Sequence, residues 1–252
     1  LAEANVKLHR AAELTWVEAA ELAKAGAYAL VPVGSTEAHG PHLPLSTDVI
    51  IAEAVCTRVS EQLEARNIRS VIFPPLSYGL TEFARSFIGT VSVPAHEVTE
   101  TLSQACLGLS GAGFAKVALI NHHLEPAHFA AVKAAAEAAR GQGARVACPD
   151  HRRKPWALEL GEEFCRGGSH AGYYETSLVL AAAPHLVREE IRRKLTPLEI
   201  DLAARIKAGA ADFHACGGPE AYFGHPEQAT AQEGERLLGV LTRMTLQALD
   251  EA

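Results

Sequence analysis

The stretch YALVPVGSTEAHGPHLPLSTD, residues 28–48, decides the fold. Its first six residues form an apolar run of strand length. Residues 34–47 are rich in Gly, Pro, Ser and Thr and read as a long loop. Thr47 is placed to cap a helix over 48–66. A strand with no polar alternation, followed by a loop and a helix, is the unit of a parallel sheet covered on both faces. The unit recurs downstream. SVIF (70–73) is a second strand, closed by Pro74-Pro75, with a helix over 95–109. KVALI (116–120) is a third, followed by a loop at 121–125, Pro126 in a first helical turn and an Ala-rich helix to 140. RVAC (145–148) is a fourth. Upstream, Thr15 and Glu18 have the spacing of a capping box and open a helix that ends near Gly26.

The second half is mostly helical, over 178–183, 197–208 and 227–252. No repeat or linker divides the chain. The expected fold is therefore α/β: a single domain over 1–252, three-layered, with a mainly parallel β-sheet flanked by helices.

Composition narrows the partners. The formal charge of -7 argues against nucleic acid or an anionic membrane. No apolar stretch is long enough to span a bilayer, and LAEANVKLHR lacks the features of a signal peptide. The five cysteines are odd in number and form no CxxC pair, which fits reduced thiols in a cytoplasmic protein.

The chemistry sits in the loops after the strands. In extended backbone, residues two apart share a side, so Glu37 and His39 can face one point, and Asp48 can swing back toward it from the next helix. After the third strand, His123 and Glu125 repeat the pair at the same spacing. Ligand sites of parallel sheets form at the carboxyl ends of strands. Three carboxylates and two imidazoles suit Zn, Mn or Fe(II), and five such ligands match two ions sharing one carboxylate. In GSHAGYYETS (168–177), His170 lies in a glycine-rich turn suited to proton transfer. Glu175 can orient it or cap the following helix.

The segments GSTEAHGPHLPLSTD, NHHLEP and HAGYYETSLVL resemble the signature segments of the creatininase (creatinine amidohydrolase) family, as does the later stretch 225–235. The resemblance implies a two-metal α/β hydrolase that forms a homo-oligomer, often a hexamer. It implies one ion on Glu37, Asp48 and His123, and a second on His39, Asp48 and Glu125. A metal-bridging hydroxide would attack the carbonyl of a small, cyclic amide, with His170 passing a proton to the leaving nitrogen. Leu124-Glu125 departs from the glycine-rich version of the second segment and is closer to a His-Tyr-Glu version. His122 stands in place of a glycine and Pro126 in place of an asparagine.

The substrate side differs more. Where creatinine-hydrolysing members carry a Trp four residues before the catalytic His, this chain has Arg166. Together with Arg152, Arg153 and Lys154, it points to an anionic group on the substrate. Tyr78 and His122 are further candidates for the pocket wall. Formamide or short-peptide hydrolysis is the alternative activity, and a metal-binding assembly protein without catalysis the alternative class. His42 reads as structural. His128, His151, His185, His214 and His225 read as surface or helix-cap residues.

Overall fold

The computed structural model describes residues 8–165 and 170–252. Five parallel strands form one sheet: β1 (His9–Arg10), β2 (Tyr28–Val33), β3 (Ser70–Ile72), β4 (Lys116–Asn121) and β5 (Val146–Ala147), in the order β1-β3-β2-β4-β5. The helices are α1 (Trp16–Lys24), α2 (Thr47–Ala65), α3 (Ala95–Gly111), α4 (Pro126–Gly141), α5 (Trp156–Glu159), α6 (Glu162–Cys165), α7 (Tyr173–Ala182), α8 (Glu189–Arg192), α9 (Leu202–Lys207), α10 (Phe213–Cys216) and α11 (Ala231–Glu251). The expected parallel α/β sheet is present. β1 is an addition, since two residues are too short to carry a period. The helix expected over 197–208 shortens to α9, because Leu198 forms a bridge to Gly224 instead.

The strands divide their side chains between two cores. Ala29, Val31 and Val33 of β2 face one side with Val117 and Leu119 of β4. Leu30, Ala118 and Ile120 face the other. α3 and α4 cover the first face; α2, α7 and α11 cover the second. This burial on both faces makes three layers, and it explains why the strands are apolar throughout rather than alternating.

The chain leaves β2 through α2 toward β3, then returns past β2 to β4. The order reverses between β2 and β4, and the carboxyl ends of these two strands frame a crevice. The Thr15–Glu18 capping box forms as expected. Thr47 does not cap α2: it is the first helical residue, and its hydroxyl donates to Pro44 O at 2.7 Å.

α7 and α11 cross so closely that a Cβ on Gly234 would lie 1.9 Å from the backbone oxygen of Ser177. Backbone cannot give way as a side-chain tip can. Gly234→Ala is expected to lower stability by about 1–3 kcal/mol through overpacking. Gly239→Ala in the same helix meets nothing closer than Arg243 at 3.8 Å and should stabilise by roughly 0.5–1 kcal/mol. Urea denaturation of both variants checks the contrast; equal midpoints would refute the close crossing.

Candidate metal centre

The segment after β2 is held from above by the irregular stretch 73–94. Thr36 Oγ1 donates to Ser77 O at 2.7 Å, and the Val91 N–H donates to Thr36 O at 3.0 Å. The Ala38 N–H donates to Thr90 Oγ1 at 3.1 Å. Glu37 and His39 are thereby fixed facing inward, each 1% exposed. Asp48, in the first turn of α2, meets them as expected. His123, just past the end of β4, closes the corner.

Asp48 sits between the two imidazoles. Its Oδ1 is 3.2 Å from His39 Nε2 and its Oδ2 is 3.1 Å from His123 Nδ1. Glu37 Oε1 is 3.2 Å from His123 Nδ1 and 3.7 Å from His39 Nε2. The other nitrogen of each ring is engaged. His39 Nδ1 lies 3.2 Å from Glu37 O, and His123 Nε2 lies 2.8 Å from Leu80 O. Those carbonyls take one ring N–H each, which turns the second nitrogen of each ring toward Asp48. Thr81, wholly buried, donates its hydroxyl to Glu37 Oε2.

The structure brings a different glutamate than expected beside His39 and Asp48. Glu175, not Glu125, reaches the His39–Asp48 side: its Oε2 is 3.4 Å from His39 Nε2 and also accepts from the Ala171 N–H at 2.7 Å. Three groups of potential ligands occur among the described residues: Glu37, Asp48 and His123; His39, Asp48 and Glu175; and Glu37, His39 and His170. Glu125 is in none of them. It precedes Pro126 at the start of α4, and its carboxylate turns to the backbone N–H groups of Glu82 and Phe83, at 3.2 and 3.4 Å. The chain turns through Ala171, at φ 51°, and Glu175 reaches back across that turn to the Ala171 N–H.

The electrostatics suit a cation. Burial lowers the pKa of His39, but Asp48, Glu175 and Glu37 outweigh it and lift the ring to about 10. Burial likewise opposes the rise of His123, which Glu37 and Asp48 carry well above its ordinary value. Burial raises Asp48, yet His39 and His123 hold it well below the carboxylate range. Burial lifts the third carboxyl, Glu175, to about 8, so three carboxyl groups face two imidazoles that a cation would relieve of their protons. His39 Nε2 and Asp48 Oδ2 are buried with no hydrogen bond of acceptable geometry. Buried polar atoms without partners, converging on one point, are what a divalent ion satisfies once it displaces the ring protons.

His170 abuts this corner. Its ring lies 4.4 Å from that of His39 and 4.3 Å from Phe213. Its Nε2 is 2.9 Å from Ala38 O, so Nδ1 faces inward, 3.8 Å from Glu37 Oε1. Burial and the neighbouring His39 hold it down at about 4, so the ring is neutral. Burial lifts the carboxyl of Glu125 to about 7. Above the corner opens a cavity of about 440 Å³ lined by Glu37, His123, Glu125, His170 and Glu175, with Phe83, Leu202 and Ile206 among its apolar walls.

Other expectations for the pocket wall change. His122 points to the opposite side of the β4 end from His123, stacked on Tyr174 at 5.6 Å and edge-on to His151. Tyr78 is 53% exposed and outside the cavity lining, because Gly79 takes the inward position against His128. Arg152 lines the cavity, whereas Arg153 and Lys154 line a separate one of about 550 Å³ near β5. Arg166 lies outside the described residues. His128 and His151 are buried rather than superficial. His128 supports the site, packing on the His123 ring and taking the Leu80 N–H on its Nδ1. His128 was read as a surface or cap residue because its helical position gives no sign of which face is buried, and Thr81 was missed because it lies in irregular chain outside any recognisable segment.

The creatinine amidohydrolase family model matches residues 12–249. The chain is 32% identical to the mycofactocin precursor peptide peptidase of Mycobacterium tuberculosis, over 84% of this chain and 80% of that protein. It is 31% identical to the creatinine amidohydrolase of Pseudomonas putida, over 69% and 72%. A solved structure of a manganese creatininase superposes with a TM-score of 0.75 at 24% identity, covering 97% of this chain and 98% of that one.

Proposed function

Because the chain belongs to the creatininase family, we propose that it is a metal-dependent amidohydrolase with a dinuclear centre, opening a C–N bond in a small amide. The observation that carries this is Asp48, with one oxygen facing each imidazole. Glu37, Asp48 and His123 would hold one divalent ion, Zn or Mn with Fe(II) also suited; His39, Asp48 and Glu175 would hold the other. Bound there, the ions would supply Lewis acidity to the amide carbonyl and make water a nucleophile at neutral pH. The protein's own residues do the rest. Thr81 holds Glu37 in place, and the carbonyls of Glu37 and Leu80 fix the imidazole tautomers. His170 presents a neutral Nδ1 to the cavity. Glu125, held by only two long N–H contacts, can take a proton from water and return it to the leaving nitrogen. A catalytically idle binding protein would have no use for two such groups over the ligands.

Two kinds of substrate compete. The sequence resemblance favours a cyclic amide. A cavity of about 440 Å³ favours a longer, acyclic one such as a short peptide or an acylated amine. Assembly into a homo-oligomer belongs to the same proposal, a hexamer by family resemblance.

Stripping with a chelator and reloading with Mn or Zn is the test. Turnover of at least one of creatinine, other lactams, formamides and dipeptides should vanish and return. Full activity without metal would refute the reading.

A further inference from the structure

We propose that the cavity takes an amide whose amine half is an amino acid with an apolar side chain and a free carboxylate, and that Lys207 reads that carboxylate. This rests on the amidohydrolase reading above and names its substrate class. Water adds across the C–N bond: the acyl carbon takes the hydroxyl, the nitrogen takes the proton, and a carboxylic acid and a free amino acid leave.

The argument begins with α9. Leu202, Ala203, Ile206 and Lys207 are spaced i, i+1, i+4 and i+5, so they share one helical face, and all four line the cavity. Phe83, Phe164 and Phe213 extend the wall. The cavity is several times the volume of a single five-membered ring, and among the described residues its ionisable groups other than the cations are those of the metal corner, Glu125 and the thiol of Cys165. A small polar ring would leave the apolar wall unused, whereas an aliphatic or aromatic side chain would bury it.

The cations decide the charge. Arg152 is already answered: its Nε and Nη2 bind Asp150 at 3.0 and 3.3 Å, and its guanidinium lies 3.7 Å over the Phe129 ring. Lys207 has no ion-pair partner among the described residues and is exposed beside the half-buried Ile206. A substrate whose side chain lies along Leu202 and Ile206 has its neighbouring carboxylate at that ammonium. A single lysine, without a cradle of N–H donors, suits one carboxylate better than a phosphate.

The test compares N-acetyl-L-leucine with its neutral carboxamide and with N-acetylglycine. Wild type should favour the free acid over the carboxamide by roughly fivefold in kcat/KM, a modest factor because the lysine is solvated. High salt should shrink that factor. N-acetylglycine should be the poorest of the three. Lys207→Met should bring the acid-to-carboxamide ratio to about one, and Lys207→Glu should invert it. Calorimetric binding of the same acid and carboxamide to metal-free protein should show the same order, independently of turnover. A wild-type ratio of one, or a ratio that Lys207→Met leaves unchanged, overturns the inference while leaving the amidohydrolase reading intact. If the metal-loaded enzyme hydrolyses none of the amides, that reading fails instead, and the binding ratio alone decides the role of Lys207.

Discussion

Asp48→Ala should yield a folded chain that holds no divalent ion and has lost more than about 100-fold in activity, since even outer partners of metal sites cost about 10–100-fold when removed. The reason is geometric. Asp48 is the carboxylate that offers a separate oxygen to each imidazole, at 3.2 and 3.1 Å. Glu37 faces both rings through the same oxygen, and Glu175 faces His39 alone. Loss of Asp48 therefore breaks both ligand triads at once. Thermal unfolding gives a readout independent of substrate. Metal at about 1,000 times its Kd stabilises a single site by roughly 4 kcal/mol. That corresponds to about 8–16 °C for a chain of this size. Wild type should show such a rise on loading, and Asp48→Ala should show none. A variant that is still stabilised by metal would place the bridge elsewhere.

The second large effect separates two glutamates that sequence alone confuses. Glu175→Gln should reduce the bound ions from two to one, because it removes the third ligand beside His39 and Asp48. Glu125→Gln should keep both ions and lose about 10²–10⁴ in kcat, the usual contribution of a general acid–base group. Its carboxylate is oriented by the backbone of Glu82 and Phe83 rather than by the corner. Metal analysis beside steady-state kinetics distinguishes the two. The reverse pattern would restore Glu125 as a ligand and make Glu175 the proton carrier.

These two residues also mark how far the sequence could be read. Glu37, His39 and His123 were legible because each follows an apolar strand, where extended backbone fixes which residues share a side. Asp48 was legible because the loop returns to a helix start at the same end of the sheet. The pair His123 and Glu125 suggested the same alternation, but Pro126 begins α4 at once and the side chain of Glu125 goes to the 82–83 backbone. Glu175 reaches the corner through a left-handed Ala171 and a helical turn, a path with no period to recognise. Thr81 and the Leu80 carbonyl come from irregular chain between β3 and α3, whose course depends on tertiary hydrogen bonds to Thr36 and Ala38. The three-layer fold was legible for the opposite reason: strands buried on both faces leave unbroken apolar runs in the sequence.

The charge pattern shows the same limit. Arg152, Arg153 and Lys154 are adjacent in sequence but divide between two cavities, and Arg152 is matched by Asp150. Among the described residues, the cavity-lining cation without an ion-pair partner is Lys207, on a short helix far along the chain. Adjacency in sequence did not report which charge faces the substrate.

The central claim is a two-ion site bridged by Asp48 and completed by Glu175. A crystal structure of the manganese-loaded protein, with anomalous scattering to locate the ions, tests it most directly. The expected result is two ions per chain, one touching Glu37, Asp48 and His123, the other touching His39, Asp48 and Glu175, with Glu125 outside both. A single ion, or a second ion bound by Glu125 in place of Glu175, would contradict it.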